Sequence, residues 1–365
     1  MVPRTAMLPW YAVWQRASIV QRKAEDRGEM TSTGTPLTEA RTSCPVTTDI
    51  GRAATALRDG HLVAFATETV YGLGANALDE NAVARVFEVK ERPHFDPLIV
   101  HVVSDDWLSQ LVRDDPETAR LLAREFWPGP LTIVLPKTDR VPDLVTAGLS
   151  SVAVRMPSHP QARELLRQVD RPIAAPSANP FGQLSPTSAA HVTESLGGRI
   201  DLILDGGLCD VGVESTVILL TEEQPCLLRH GGVTQEQIES VIGPVQTRQS
   251  LSGESAPSPG MLSQHYAPRT PLILNLEADA DRLAGLRVGI LSLQPVDTPF
   301  EPIAIETLTT DGDLRTATAG FFAAMRRLDR ANLDLIVAWP FPDKGLGRAL
   351  NDRLSRACHV ERLTS

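Results

Sequence analysis

Four basic side chains stand at the ends of predicted helices or strands, where they could bind an anion together. Lys90 and Arg92 end a predicted helix, Arg155 lies in an apolar strand, and Arg229 ends another strand. Cations at a helix end often only complement the helix dipole. A cation inside an apolar strand is costly unless it meets a carboxylate or an anionic ligand. Together the four predict a pocket that binds phosphate groups.

Three segments rich in small and hydroxyl-bearing residues follow predicted strands or open them. They are TETVYGLGANA (67–77), AAPSAN (174–179) and GVEST (212–216). Hydroxyls and glycine-exposed amides at a strand end suit a small polar ligand. A tight turn between a strand and a helix is the alternative explanation of the first segment. The chain contains no P-loop and no dinucleotide-binding glycine fingerprint.

The remaining reactive residue types give no metal site and no nucleophile. His101 lies within the apolar run LIVHVV, where it is either a hydrogen-bonded buried histidine or a neutral ligand for a polar substrate. The other histidines lack zinc-binding spacing, and the cysteines are scattered without a CxxC pair. No GxSxG elbow is present. This use of cysteine predicts a reduced, cytoplasmic protein.

Length and composition limit the class of protein. The chain has 365 residues, of which 42% are hydrophobic and 22% are charged, as in ordinary globular proteins. No stretch approaches the roughly 20 apolar residues of a spanning helix, so we expect no membrane segment. The net charge of −10 argues against a broad nucleic-acid-binding surface, although a local basic pocket is compatible with it.

The elements that must position these residues follow from the alternation of apolar runs and helical patterns. They predict a mixed α/β domain over residues 47–247, preceded by an extension, 1–46, that we expect to be flexible. The predicted helices of this domain are 49–58, 79–91, 115–126, 160–169, 187–196 and 234–242. The predicted strands are 61–66, 98–103, 131–135, 152–156, 172–175, 202–204, 216–220 and 226–229.

The last third of the chain predicts a second domain. Residues 248–270 are rich in serine, proline and glycine, which indicates a linker. Strands at 271–276, 287–293 and 335–339 alternate with helices at 316–330 and 347–358. This pattern predicts a smaller Rossmann-like parallel-sheet domain over 271–365.

Taken as a set, the motifs resemble those of the threonylcarbamoyl-AMP synthases in their long, two-domain form. The motifs are TETVYGLGANA (67–77), KER with PLIVHV (90–103), FWPGPLT (126–132), SVAVRMPSHP (151–160), PIAAPSAN (172–179), SPT (185–187), ILDGG (203–207), GVESTV (212–217), LLRHGG (227–232) and SPGMLSQHYAP (258–268). The resemblance covers about residues 47–365. It implies an α/β fold in which a YrdC-like twisted mixed sheet with flanking helices precedes the Rossmann-like domain.

The resemblance also implies an activity. In this family ATP, L-threonine and bicarbonate give threonylcarbamoyl-AMP and pyrophosphate, which makes the enzyme a nucleotidyltransferase. The product serves a tRNA threonylcarbamoyl transferase machinery that modifies the adenosine beside the anticodon. Mg²⁺ would enter with ATP and be held mainly by the phosphates, since no carboxylate cage is evident.

Roles for individual residues follow from the same motifs. Lys90 and Arg92 would be catalytic. The ATP-binding residues would be Lys90, Arg92, Asp96, Ser151, Ser177, Asn179, Ser185, Arg229 and Ser263. The threonine-binding residues would be Thr69, His101, Arg155, Ala175 (through its backbone) and Ser215. These types suit a reaction that brings two anions together, because cations and amides offset their repulsion.

Some positions depart from the family pattern. Asp96 stands where asparagine is usual, and a carboxylate there would either repel phosphates or help to hold Mg²⁺. Ser263 stands where some members have an aromatic residue. We expect 261–268 (MLSQHYAP) to fold over the pocket as a lid that excludes water from the labile product.

Two other functions are compatible with parts of the sequence. One is an RNA-binding module, which the net charge and sparse aromatic residues disfavour, although weak RNA binding stays open. The other is a carbamoyl-adenylate enzyme that uses carbamoyl phosphate, which the predicted threonine-binding set disfavours.

Overall fold

The computed structural model describes residues 44–247, 266–274, 283 and 285–358. Its helices are α1 Ile50–Arg58, α2 Glu80–Lys90, α3 Asp105–Leu111, α4 Glu117–Phe126, α5 Asp143–Thr146, α6 Pro160–Val169, α7 Ala189–Leu196, α8 Gln235–Ile242, α9 Leu314–Arg330 and α10 Leu346–Ala357. The strands of the first sheet are β1 Val46–Thr47, β2 Val63–Phe65, β3 Gly72–Asn76, β4 Ile99–His101, β5 Leu131–Pro136, β6 Ser151–Arg155, β7 Ile173–Ala174, β8 Leu202–Leu204, β9 Thr216–Leu219, β10 Cys226–Arg229 and β11 Gln246–Thr247. Those of the second sheet are β12 Leu272–Leu274, β13 Val288–Ser292, β14 Ala304–Thr307 and β15 Leu335–Ala338.

The first sheet has eleven strands in the order β1-β8-β2-β3-β7-β4-β6-β5-β9-β10-β11, with parallel and antiparallel neighbours. Its central strands are buried on both faces, because alternate side chains enter two different cores. Val63 and Phe65 pack with the residues of α1 and α6, whereas Ala64 packs with those of α2 and α4. Helices therefore cover both faces, and the predicted mixed sheet with flanking helices is confirmed.

Helix boundaries follow local capping signals. The Asp49 and Asp79 side chains accept backbone N–H groups at the starts of α1 and α2, and Thr234 forms a capping box with Gln237 at the start of α8. At the end of α2, Glu91 adopts a left-handed conformation (φ 54°). This turn ends the helix directly before Arg92 and leads the chain back to the sheet.

Strand β3 corrects the expectation of a turn within 67–77. Gly72–Asn76 pairs antiparallel with both β2 and β7, so the glycines lie inside the sheet. A Cβ atom at Gly74 would lie 2.8 Å from the Phe65 ring and 3.1 Å from Ile173 Cγ2. The glycine therefore permits close packing of neighbouring side chains, and only 67–71 of the motif forms an irregular segment.

The second sheet is fully parallel, in the order β12-β15-β13-β14. The apolar faces of α9 and α10 cover it, with Phe321, Phe322 and Leu350 in the core. This arrangement confirms the predicted Rossmann-like parallel sheet. The sequence did not reveal the edge strand β14, because its side chains are partly exposed and lack an apolar run.

The two sheets share one of the hydrophobic cores. Val70, Leu184 and Val213 of the first part pack in the same cluster as the side chains of α9 and α10. At Gly212 a Cβ atom would meet the Thr318 carbonyl oxygen at 2.4 Å, so α9 lies directly against the loop before β9. The second domain is therefore packed close to the segment that contains GVEST.

The ends of the predicted domains show one difference. Cys44 is buried, and Val46 and Thr47 pair with β8, so the last residues of the predicted extension belong to the sheet. Residues 1–43 and most of the predicted linker, 248–265, lie outside the described residues. None of the described helices is long and apolar enough to cross a membrane.

Candidate functional site

One cavity collects most of the side chains that the sequence selected. Its walls include Arg92, Arg155 and Arg229, which are separated by up to 137 positions in the chain. The other predicted residues that line it are Thr69, His101, Ala175, Ser177 and Ser215. The guanidinium groups thus face a common space, as the sequence predicts for a site that binds anions.

Arg155 is held by a carboxylate that the sequence analysis did not select. Arg155 lies at the end of β6, and its Nη2 atom is 2.6 Å from Glu68 Oε1, with both side chains buried. Its Nη1 atom donates to Thr69 Oγ1 at 2.9 Å, and its Nε atom to the Gly129 carbonyl at 3.2 Å. The Arg155 charge is therefore balanced, and its fork is fixed in orientation.

His101 faces the cavity from β4, directly beside Arg155 in the neighbouring strand. Burial lowers the pKa of His101 to about 3, and the Arg155 charge acts in the same direction. The imidazole is consequently neutral at physiological pH. Its Nδ1 atom is buried and has no hydrogen-bond partner among the described residues.

Arg92 reaches the cavity from the turn after α2 and is paired behind it. Its Nη2 atom lies 2.8 Å from Asp96 Oδ2, and the guanidinium also donates to the carbonyls of Asp96 and Pro97. Asp96 is fully buried, and its desolvation raises its pKa although Arg92 opposes this. In this position Asp96 orients Arg92 and does not line the cavity.

Lys90 lies behind the AAPSAN segment. Its ammonium donates to the carbonyl oxygens of Ser177 and Asn179. Burial lowers the pKa of Lys90 well below its usual range, and the Arg92 charge adds to this effect. Asn179 is also fully buried, and its amide donates to the Pro180 and Gln183 carbonyls. These contacts fix the backbone that presents Ser177 to the cavity.

Ser215 and Arg229 form the opposite wall. The Arg229 guanidinium donates to the Ser215 carbonyl at 3.1 Å and to Ser215 Oγ at 3.2 Å. Thr132 Oγ1 lies 2.8 Å from the same hydroxyl. Neighbouring strands β9 and β10 carry the two residues to one end of the sheet, where GVEST opens β9.

Glu214 and Tyr266 also line the cavity, although the sequence analysis gave neither an individual binding role. Glu214 precedes Ser215, and Tyr266 lies in the described end of the predicted linker, within the segment 261–268 that we expected to cover the pocket. Glu214 accepts the Ser185 hydroxyl and pairs with Arg353 of the second domain. No local signal marks Arg353, because it is one of several arginines on an amphipathic helix.

Two other predicted residues, Ser185 and Ser151, lie away from the cavity surface. Ser185 is fully buried behind Glu214, and Ser151 begins β6 at the end opposite Arg155. Ser263 and most of the predicted lid, 261–265, lie outside the described residues. Their contacts with ATP, and those of Lys90, Asp96 and Asn179, stay predictions.

The charges of the site suit anionic reactants. Each acid at or directly behind its walls, Glu68, Asp96 and Glu214, is paired with an arginine. No group of three histidine, cysteine, aspartate or glutamate side chains that could hold a metal occurs among the described residues.

Comparisons with known proteins place the fold and the site in a defined class. A family model described as "Telomere recombination" (Sua5_yciO_yrdC) matches residues 55–231. A second, "Threonylcarbamoyl-AMP synthase, C-terminal domain", matches residues 233–358. The molecule is thus a two-domain protein of the Sua5 type.

Individual relatives agree with both family models. Threonylcarbamoyl-AMP synthase of Pyrococcus abyssi is 46% identical over 321 residues, which cover 84% of this chain and 92% of that protein. The Bacillus subtilis protein of the same name is 45% identical, with the same coverage. The crystal structure of P. abyssi Sua5 complexed with L-threonine superposes with a TM-score of 0.80 at 45% identity, covering 84% of this chain and 93% of that one.

This chain belongs to the threonylcarbamoyl-AMP synthases, a family of enzymes. The predicted resemblance, fold class and function are thereby confirmed.

Proposed function

We propose that the cavity joins ATP, L-threonine and bicarbonate into threonylcarbamoyl-AMP and pyrophosphate. The observation that carries the proposal is the meeting of Arg92, Arg155 and Arg229 in one cavity whose acids are all paired. The solved relative that is complexed with L-threonine supports L-threonine as a ligand of this chain.

The proposed chemistry balances without an enzyme nucleophile. Bicarbonate gives carbon dioxide and hydroxide, and the threonine amine attacks the carbon dioxide and loses a proton, which leaves a carbamate and water. A carbamate oxygen then attacks the α-phosphorus of ATP. The bond between the α-phosphorus and the bridging oxygen breaks, and pyrophosphate leaves. This transfer of an adenylyl group makes the enzyme a nucleotidyltransferase.

The cavity residues divide between the two reactants. Arg155, Thr69 and His101 form one wall, where an oriented guanidinium and a neutral imidazole suit the carboxylate and hydroxyl of threonine. Arg92, Ser177 and Arg229 suit phosphate oxygens. Their positive charges reduce the repulsion between carbamate and triphosphate, and they stabilise charge that develops on the leaving group.

Mg²⁺ accompanies ATP in this proposal. Because each nearby carboxylate is already paired with an arginine, the ion would be held by phosphate oxygens and water. It would supply further charge neutralisation on the phosphates. We therefore expect the reaction to depend on Mg²⁺ while each of these carboxylates stays paired with its arginine.

The product implies a downstream partner. A mixed anhydride is labile in water, so we propose transfer to a tRNA threonylcarbamoyl transferase machinery in the cytoplasm. The described cysteines form no disulfide bond with one another, which suits a reducing compartment. Weak direct binding of RNA would appear as a salt-dependent association.

The test is an omission experiment with labelled ATP. Pyrophosphate should appear only when ATP, threonine, bicarbonate and Mg²⁺ are all present, with threonylcarbamoyl-AMP as the other product. Pyrophosphate release that does not depend on threonine would overturn the proposal. Activity with carbamoyl phosphate in place of threonine and bicarbonate would favour the alternative carbamoyl-adenylate chemistry.

A further inference from the structure

A chain of four charges runs from the cavity wall into the second domain. Glu214 Oε2 lies 2.9 Å from Arg353 Nε, and Arg353 Nη1 lies 2.6 Å from Asp352 Oδ2. Asp352 Oδ1 in turn lies 2.8 Å from Arg356 Nη2. Two acids and two bases therefore alternate, and only Glu214 among them lines the cavity.

Arg353 is anchored to the first domain although it belongs to α10. Its side chain is 0% exposed, and Nη1 also donates to the His230 carbonyl at 2.9 Å, directly after Arg229. Its guanidinium carbon lies 5.0 Å from the centre of the Tyr266 ring, in cation–π contact. Arg353 thus touches two wall residues, Glu214 and Tyr266, without reaching the cavity itself.

The pairing of Glu214 matters because this wall faces anions in the proposed reaction. Removal of Arg353 would leave Asp352 with Arg356, but Glu214 would lose its partner. A buried carboxylate without its partner repels an anionic ligand strongly, because the low dielectric screens it poorly. Glu214 also acts electrostatically on Arg229. Without Arg353, Glu214 would therefore compete with an anionic ligand for the Arg229 guanidinium.

We infer that Arg353 is a positioning residue through which the second domain completes the ATP site. It neutralises Glu214 and holds that side chain against Ser185, so that the wall beside Arg229 carries no unbalanced negative charge. The inference rests on the proposed function, and it assigns a task to the C-terminal domain. That task is to neutralise the negative charge of Glu214 in a cavity wall that the first domain forms.

Removing first the charge of Arg353 and then that of Glu214 tests this inference. Arg353→Gln should raise the KM for ATP at least tenfold and should change the KM for threonine less. Adding Glu214→Gln to the same chain should restore the KM for ATP to within about threefold of the original, because two neutral amides can hydrogen-bond each other. Arg353→Lys, which keeps the charge, should show an intermediate KM.

A matched control separates this role from general docking of the domains. Arg348 also lies on α10 and pairs across the domains, with Glu236 at 2.8 Å, but that pair is away from the cavity. Arg348→Gln should leave both KM values unchanged. Circular dichroism and the melting temperature of each variant report whether it is folded.

The outcomes are decisive in each case. An unchanged KM for ATP in Arg353→Gln, or a double variant no better than the single one, would overturn the inference and leave Arg353 a packing residue. If Arg353→Gln does not fold, the comparison of Arg353→Lys with Arg353→Lys/Glu214→Gln decides: relief of the ATP defect supports the inference, and its absence overturns it.

Calorimetric titration with ATP alone measures the same differences in ATP binding among the variants. If the original enzyme binds ATP but makes no threonylcarbamoyl-AMP, the proposed function fails separately.

Discussion

Arg155 and Glu68 form a buried ion pair whose Nη2–Oε1 distance is 2.6 Å, at the wall that we assign to threonine. Burial raises the pKa of Glu68, but the charge and hydrogen bonding of Arg155 outweigh this effect and hold the pKa below its usual range. The carboxylate is therefore ionised at physiological pH. Its position behind the arginine, rather than in the cavity wall, indicates that it orients the guanidinium.

Glu68→Gln should weaken threonine binding selectively. The amide keeps the volume of the carboxylate but loses the charge that holds Arg155, so we expect the KM for threonine to rise about tenfold, equivalent to about 1.4 kcal/mol. The KM for ATP should change less than twofold. Steady-state kinetics on both substrates measure the effect. Glu164→Gln, at an exposed pair with Arg167, is the matched control, and equal threonine constants in the two variants would contradict the assigned role.

Arg92→Ala and Arg155→Ala should damage different substrates. Arg92 belongs to the part of the cavity that we assign to phosphate, and Arg155 to the part that we assign to threonine. Arg92→Ala should therefore raise mainly the KM for ATP, and Arg155→Ala mainly the KM for threonine, each by tenfold or more. Both changes leave a buried carboxylate unpaired, which costs about 3–5 kcal/mol of stability. Urea denaturation must therefore accompany the kinetics. Two folded variants with the same kinetic profile would reject the division of the cavity.

His101 should make the protein less stable in acid. The pKa of His101 is about 3 in the folded protein and 6.5 in a model peptide, so the unfolded chain binds more protons between these values. Stability should fall as the pH is lowered through this window, by up to about 1.4 kcal/mol per pH unit from this residue. Urea midpoints measured between pH 7 and pH 4.5 should show a shallower slope for His101→Asn. The exposed His61 offers a control, His61→Asn, and identical slopes for His101→Asn and the original protein would exclude the effect.

Lys90→Met should loosen the backbone that presents Ser177. The change removes the donor to the Ser177 and Asn179 carbonyls, and because Ser177 keeps the Asn179 N–H, the cost of about 1–3 kcal/mol falls on the Asn179 carbonyl. We expect lower stability and a higher KM for ATP. Lys137→Met removes a comparable donor to the Val141 carbonyl far from the cavity. If both variants affect the KM for ATP alike, Lys90 has no special part in shaping the site.

The sequence by itself predicted many of the helices and strands and about half of the wall residues. Capping acids such as Asp49 and Asp79 act on the backbone next to them, so their signals are legible without the fold. Arg155 was selected because a cation inside an apolar strand needs an anion, whichever fold surrounds it. That requirement is a property of the residue and its immediate neighbours.

Only the tertiary structure decided what those residues contact. Gly74 packs under Phe65 in a strand, although its glycine-rich surroundings equally suggested a turn. Asp96 and Glu68 pair with arginines and do not line the cavity, and Glu214 meets Arg353 from 139 positions away. Pairing between charges that are distant in the chain depends on which surfaces the sheets and helices bring together. No local spacing in the sequence indicates which charges will pair.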